Sequence, residues 1–155
     1  ARVLPGYKAV VCLPLLLCAS PSCKVGCLHT VTAVLWDAEW VPLEDFLRWE
    51  GSDDENAYIE VPPGLNRGRG VVHVLHWFSR TNEHRRDDHS GLPPPGVSRP
   101  CAVVLRGGSA CGYSTFSPDL VAYPSGALRL PTLYNVFVRA SYRYRGCARQ
   151  LLLSF

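Results

Sequence analysis

Four clusters in this chain of 155 residues carry side chains able to do chemistry. Cys23, Cys27 and His29 are metal-ligand types packed close together. Zinc, however, needs four ligands in fixed geometry, and no second pair stands at a matching spacing, so the expectation is a loop with buried thiols and no metal. His73 and His76 lie in VVHVLHWF. Read as a strand, they face opposite sides and cannot share an ion. His84, Asp87, Asp88 and His89 crowd one polar stretch. A His–Asp pair can move protons, but nothing nearby supplies a nucleophile or a rigid scaffold. Arg67-Gly68-Arg69-Gly70 offers guanidinium forks that match phosphate oxygens, or a turn into the next strand. The serines form no Gly-x-Ser-x-Gly elbow, and there is no phosphate-binding loop or dinucleotide fingerprint. No enzyme, cofactor, metal or small-molecule substrate is therefore expected.

The elements that must hold these residues read as mainly β. The chain length suits one domain with a real core. Thirteen Gly and thirteen Pro favour a turn-rich β fold over a helical bundle. Residues 7–19 are apolar apart from Lys8, continuous rather than alternating. Their AVVCLPLLLCA stretch, with Ala19-Ser20 behind it, looks like a signal-peptide core. It is too short to span a bilayer and Pro14 interrupts it, so a buried strand is the expectation, with no membrane insertion. Further strands are expected over 28–36, 57–61, 71–78 and 101–106 from β-branched residues and flanking turns. Residues 41–51, VPLEDFLRWEG, are the best helix: Leu43, Phe46 and Leu47 share a face, and Pro42 suits the first turn. Residues 79–100, with three consecutive prolines, are expected to form a long exposed loop.

Charge divides the chain. Residues 37–60 hold nine acids and one base, whereas residues 61–155 hold twelve Arg and four acids. Such blocks suggest complementary surfaces, within one molecule or between copies, or simply two solvated faces. The seven cysteines are an odd number, and no Asn-x-Ser/Thr sequon is present. Reduced, buried thiols are expected rather than a disulfide framework.

The end of the chain fits two periods. As a strand, 134–144 alternates Tyr134, Val136, Val138 against Asn135, Phe137, Arg139; as a helix, Leu133, Val136, Phe137, Ala140 and Tyr144 make a stripe. Residues 149–155 read as a strand with Leu151, Leu153 and Phe155 on one side, paired in a sheet or buried against another chain.

LPTLYNVFVRASYRYRGCARQLLLSF, residues 130–155, resembles a segment of picornavirus-like jelly-roll capsid proteins. The matching positions are Pro131, Leu133, Phe137, Tyr142, Tyr144, Arg145, Gly146, Leu151, Leu153 and Phe155. Residues 41–51 look like the segment leading into the first strand of the same roll. The resemblance implies a single two-sheet antiparallel β sandwich, jelly-roll-like, with one or two short helices, spanning 1–155. It implies a structural virion protein assembled in the host cytoplasm, whose partners are other copies, other capsid subunits and genomic RNA. Arg67, Arg69, Arg139, Arg143, Arg145 and Arg149 are then the subunit or RNA contacts. Leu133, Phe137, Tyr142, Tyr144, Leu151, Leu153 and Phe155 are the apolar packing positions. The second reading is a secreted or cell-surface β-sandwich recognition domain with two or three disulfides, and the third a small hydrolase using the loop histidines.

Overall fold

The structure is a computed structural model that describes residues 15–17, 31–49, 56–83, 96, 98–118, 121–122 and 128–155. Cys12, Cys18, Cys23, Cys27, His29, the cluster His84, Asp87, Asp88, His89 and most of the expected 79–100 loop lie outside the described residues.

The fold is mainly β and β-sandwich-like, with antiparallel sheets. The first sheet orders β1 (Leu15–Leu17), β2 (Val31–Trp36) and β3 (Glu39–Pro42). Asp37 and Ala38, both at positive φ, make the two-residue turn between β2 and β3. Helix α1 (Leu43–Leu47) follows directly and buries Leu43, Phe46 and Leu47, the stripe its spacing predicts. The second sheet orders β4 (Tyr58–Val61), β5 (Cys101–Arg106), β6 (Ser109–Ser117) and β9 (Thr132–Val138). Between β4 and β5 runs α2 (Arg67–Glu83), and a two-stranded ribbon, β7 (Val121–Ala122) with β8 (Leu128–Arg129), separates β6 from β9. A 3₁₀ turn (Ala140–Tyr142) and α3 (Cys147–Leu153) finish the chain.

Opposite faces of the second sheet carry different cores. The inner face joins Val103, Leu105, Tyr113 and Phe137 to α2, α1 and β2 through Val71, Val74, Leu75, Phe46 and Val34. The outer face packs Val104, Cys111 and Val138 against Cys147 and Leu151 of α3. A register shift after Val104 sets Cys111 between the pairs Leu105–Ala110 and Val104–Gly112. Such a bulge frees one residue from strict alternation. Position 112 must then be glycine, because a Cβ there would lie 2.6 Å from the Phe137 carbonyl oxygen.

Two expected strands are helices. Residues 71–78 belong to the 17-residue α2. The Asn66 side chain caps its start by accepting from the Arg69 N–H at 3.0 Å. Gly68 lets the first turn approach closely, since a Cβ there would sit 2.8 Å from Val61 and 3.0 Å from Trp49. β-Branched valines suit strands in isolation, but burying Val71, Val72, Val74 and Leu75 over the inner face outweighs that preference. Residues 149–155 are likewise not a strand: Cys147 to Leu153 coil on the outer face, and the buried spacing is Cys147–Leu151. For 132–144, the strand applies to 132–138 and the chain then turns.

Candidate functional site

Residues 139–149 contain Arg139, Arg143, Arg145 and Arg149 and no acid. The fold gathers them where β9, an edge strand of its sheet, hands the chain to α3. Three of these arginines are held, each differently. Arg139 makes a two-pronged ion pair with Glu44 of α1, at 2.6 and 3.3 Å, and lies 5.4 Å from the Tyr142 ring centre. Arg145 covers the same ring from 6.0 Å, and its carbonyl accepts from Arg106 at 3.3 Å. The Arg143 Nε donates to the Val138 carbonyl at 3.2 Å, which uses one of five guanidinium donors. Arg143 and Arg149 are exposed and line a cavity of about 500 Å³ together with Val136, Val138 and Cys147.

Tyr144 also lines this cavity and is fully exposed, at 105% of its reference surface. Its φ of 62° is a left-handed conformation that non-glycine residues adopt at a cost. The flanking ties at Arg143 and Arg145 hold it there, so the ring is presented to solvent on an anchored backbone.

The other predicted contacts separate. Arg69 is only 4% exposed and is no surface contact. Its guanidinium donates to the carbonyls of Pro62 (2.9 Å), Val61 (3.1 Å) and Arg99, stapling the end of β4 and the approach to β5 onto α2. The reason is its place on the first turn of α2, one side of which faces the sheet. Arg67, half-buried, donates to the Asp45 carbonyl at 2.8 Å and lies over the Phe46 ring. Neither belongs to the 139–149 cluster.

Among the apolar positions, Leu151 and Phe137 are buried, and Leu133 and Tyr142 are half-buried. Tyr144 and Leu153 are not packed: Leu153 is 73% exposed, because a helix turns it away from Leu151 where a strand would align the two. Phe155 is 45% exposed, with its ring 5.7 Å from Phe116. Phe116 pairs with Leu133, so the end of α3 lies at the start of β9, near exposed Leu130.

His76 Nδ1 and the Tyr113 hydroxyl are 2.7 Å apart in hydrogen-bond contact. Burial holds His76 down at about 4, with the charges of Arg80 and His73 adding to the effect. Burial pushes Cys101 up to about 11 and Cys111 up to about 12, the latter aided by its contact with Cys147. These are thiols rather than nucleophilic thiolates at neutral pH. Among the described residues Cys101, Cys111 and Cys147 are free and buried in packing positions.

Among the described residues no cluster of three His, Cys, Asp or Glu side chains could hold a metal, and no helix is long and apolar enough to cross a membrane. Comparison with protein-family models, curated proteins and solved structures finds no significant match. The surface from β9 to α3 has a basic, aromatic half beside Tyr144 and an apolar half around Leu153.

Proposed function

We propose that the chain is a non-enzymatic structural protein that docks on further copies of itself, in its most specific form a capsid subunit. The observation that carries this reading is the apolar end of α3. Leu152 is 53% exposed, Leu153 73% and Phe155 45%, and Leu130, at the same end of the sheet, is 62% exposed. Clustered large apolar groups in water mark interaction sites on otherwise ordinary surfaces.

Charge favours a second copy as the occupant. Asp37, Glu39, Asp45 and Glu60 are exposed on the acidic segment, and Arg143, Arg145 and Arg149 on the basic one. The Glu44–Arg139 ion pair already joins the two segments within one molecule. Opposite patches on one chain support a heterologous contact, the kind that builds rings, shells or filaments. The mainly β fold and the resemblance carried by Pro131, Leu133 and Phe137 support the capsid form. The helix at Cys147–Leu153, standing where that resemblance implies a strand, does not contribute to it.

Sedimentation velocity tests the docking face. The chain should associate as its concentration rises, and Leu152→Asp with Leu153→Asp should return it to monomer without altering its circular dichroism. Unchanged association in that variant would remove α3 as the contact.

A further inference from the structure

We infer that the cavity between the edge of β9, residues 142–146 and α3 binds single-stranded nucleic acid, with Tyr144 as a stacking platform for one base and Arg143 and Arg149 as phosphate ligands. It is separable from self-association because it rests on Tyr144, which lines this cavity, and not on the apolar face at Leu152 and Leu153.

Three observations converge on that ligand. The first is a run of positive charge with no acid inside residues 139–149. Of the four arginines in 139–149, Arg139 is engaged by Glu44, while Arg143 and Arg149 line the cavity and are exposed. Guanidinium forks match the paired oxygens of a phosphate, and a backbone carrying regular negative charge can meet both at once.

The second is the ring. Tyr144 is fully exposed and lines the same cavity as the two arginines. Non-specific single-strand sites combine a positive groove with aromatic side chains on which bases stack. An acidic protein surface satisfies arginines but has no use for a bare ring. In a duplex the bases are already stacked on one another, so the ring selects for an unpaired strand.

The third is preorganisation. The left-handed φ of 62° at Tyr144 is held by the Arg143 Nε bond to Val138 and the Arg106 bond to the Arg145 carbonyl. Unfavourable backbone that its surroundings over-determine clusters at ligand sites. Arg145, stacked over Tyr142, carries another positive charge on the adjacent turn. The cavity, about 500 Å³, falls within the range that accepts a group of small-molecule size, such as a base with its sugar.

Fluorescence anisotropy with a labelled twelve-nucleotide oligouridylate tests the inference. Binding should weaken with salt, and the Arg143→Ala, Arg149→Ala double variant should reduce the slope of log K against log salt by about 1.4. Tyr144→Leu should weaken binding about tenfold with the slope unchanged, and Tyr144→Phe, which keeps both the ring and the backbone conformation, should restore it. Arg149→Ala and the Tyr144 variants should melt near the parent chain; Arg143→Ala also removes the bond to the Val138 carbonyl, so the Arg149→Ala single variant, with a slope lower by about 0.7, reads phosphate contact independently of the turn. Equal affinity for a duplex of the same length, displacement by polyglutamate at matched charge, or indifference to Tyr144→Leu would each overturn the single-strand assignment.

Discussion

The sulfurs of Cys111 and Cys147 lie 3.5 Å apart at the seam between β6 and α3. The bulge that lifts Cys111 out of the ladder makes this contact possible, and Leu151, one helical turn beyond Cys147, completes the seam. This layer holds the α3 surface in place, so its integrity can be read chemically. In the native chain neither thiol should react with a disulfide reagent at pH 7.5, because both are buried and Cys111 is pushed up to about 12. Leu151→Ala should cost about 2–4 kcal/mol of stability and speed labelling of Cys147, measured by mass spectrometry of alkylated peptides. Labelling of Cys147 as fast as a free peptide thiol in the parent chain would contradict the docked helix.

Arg69 makes a second test, because its position argues for a structural role. Its buried guanidinium serves three carbonyls, of Val61, Pro62 and Arg99, at two places the chain reaches separately. Arg69→Ala leaves those acceptors without their donor and should destabilise by about 2–4 kcal/mol in urea unfolding. Oligonucleotide affinity, measured where the variant is still folded, should stay within about twofold of the parent. A large loss of affinity with stability intact would instead make Arg69 part of the binding surface.

How much of this was legible in the sequence depended on whether local preference and packing agreed. They agreed at α1, where Leu43, Phe46 and Leu47 form an unambiguous stripe, and at β5, where CAVVLR sits beside the glycine pair that turns it into β6. They conflicted at α2. Val71, Val72 and Val74 carry strong strand preference, yet Asn66 is a helix-capping residue, and Val71, Leu75 and Phe78 repeat at helical spacing. The cap was the available signal. At the end of the chain, Leu151, Leu153 and Phe155 alternate like a strand, but Cys147, Leu151 and Phe155 are also four apart, and only the partner surface made by Val104, Cys111 and Val138 decides between them. The conformation of Tyr144 has no local signature, because it follows from ties to Val138 and Arg106 that the sequence does not announce.

His76 ties stability to pH. Its neutral ring contacts the Tyr113 hydroxyl inside the inner core, and its pKa is lowered by burial and by Arg80 and His73. An unfolded chain binds a proton near pH 6.5, whereas the folded one resists until about 4. Unfolded molecules therefore hold more protons in that window, and stability falls as the pH drops through it. His73, lowered by burial, acts in the same direction. The expected loss between pH 7 and pH 5 is about 1–2 kcal/mol, read from urea midpoints. His76→Gln should flatten that loss; an equally steep pH dependence in the variant would place its origin elsewhere.

We propose that this chain assembles with its own kind. Mass photometry of the purified protein, with electron micrographs of the same sample, tests it most directly. The prediction is a concentration-dependent population of large particles of uniform size, lost when Leu152 and Leu153 are both replaced by Asp. A single monomeric species at every concentration and salt condition would contradict it.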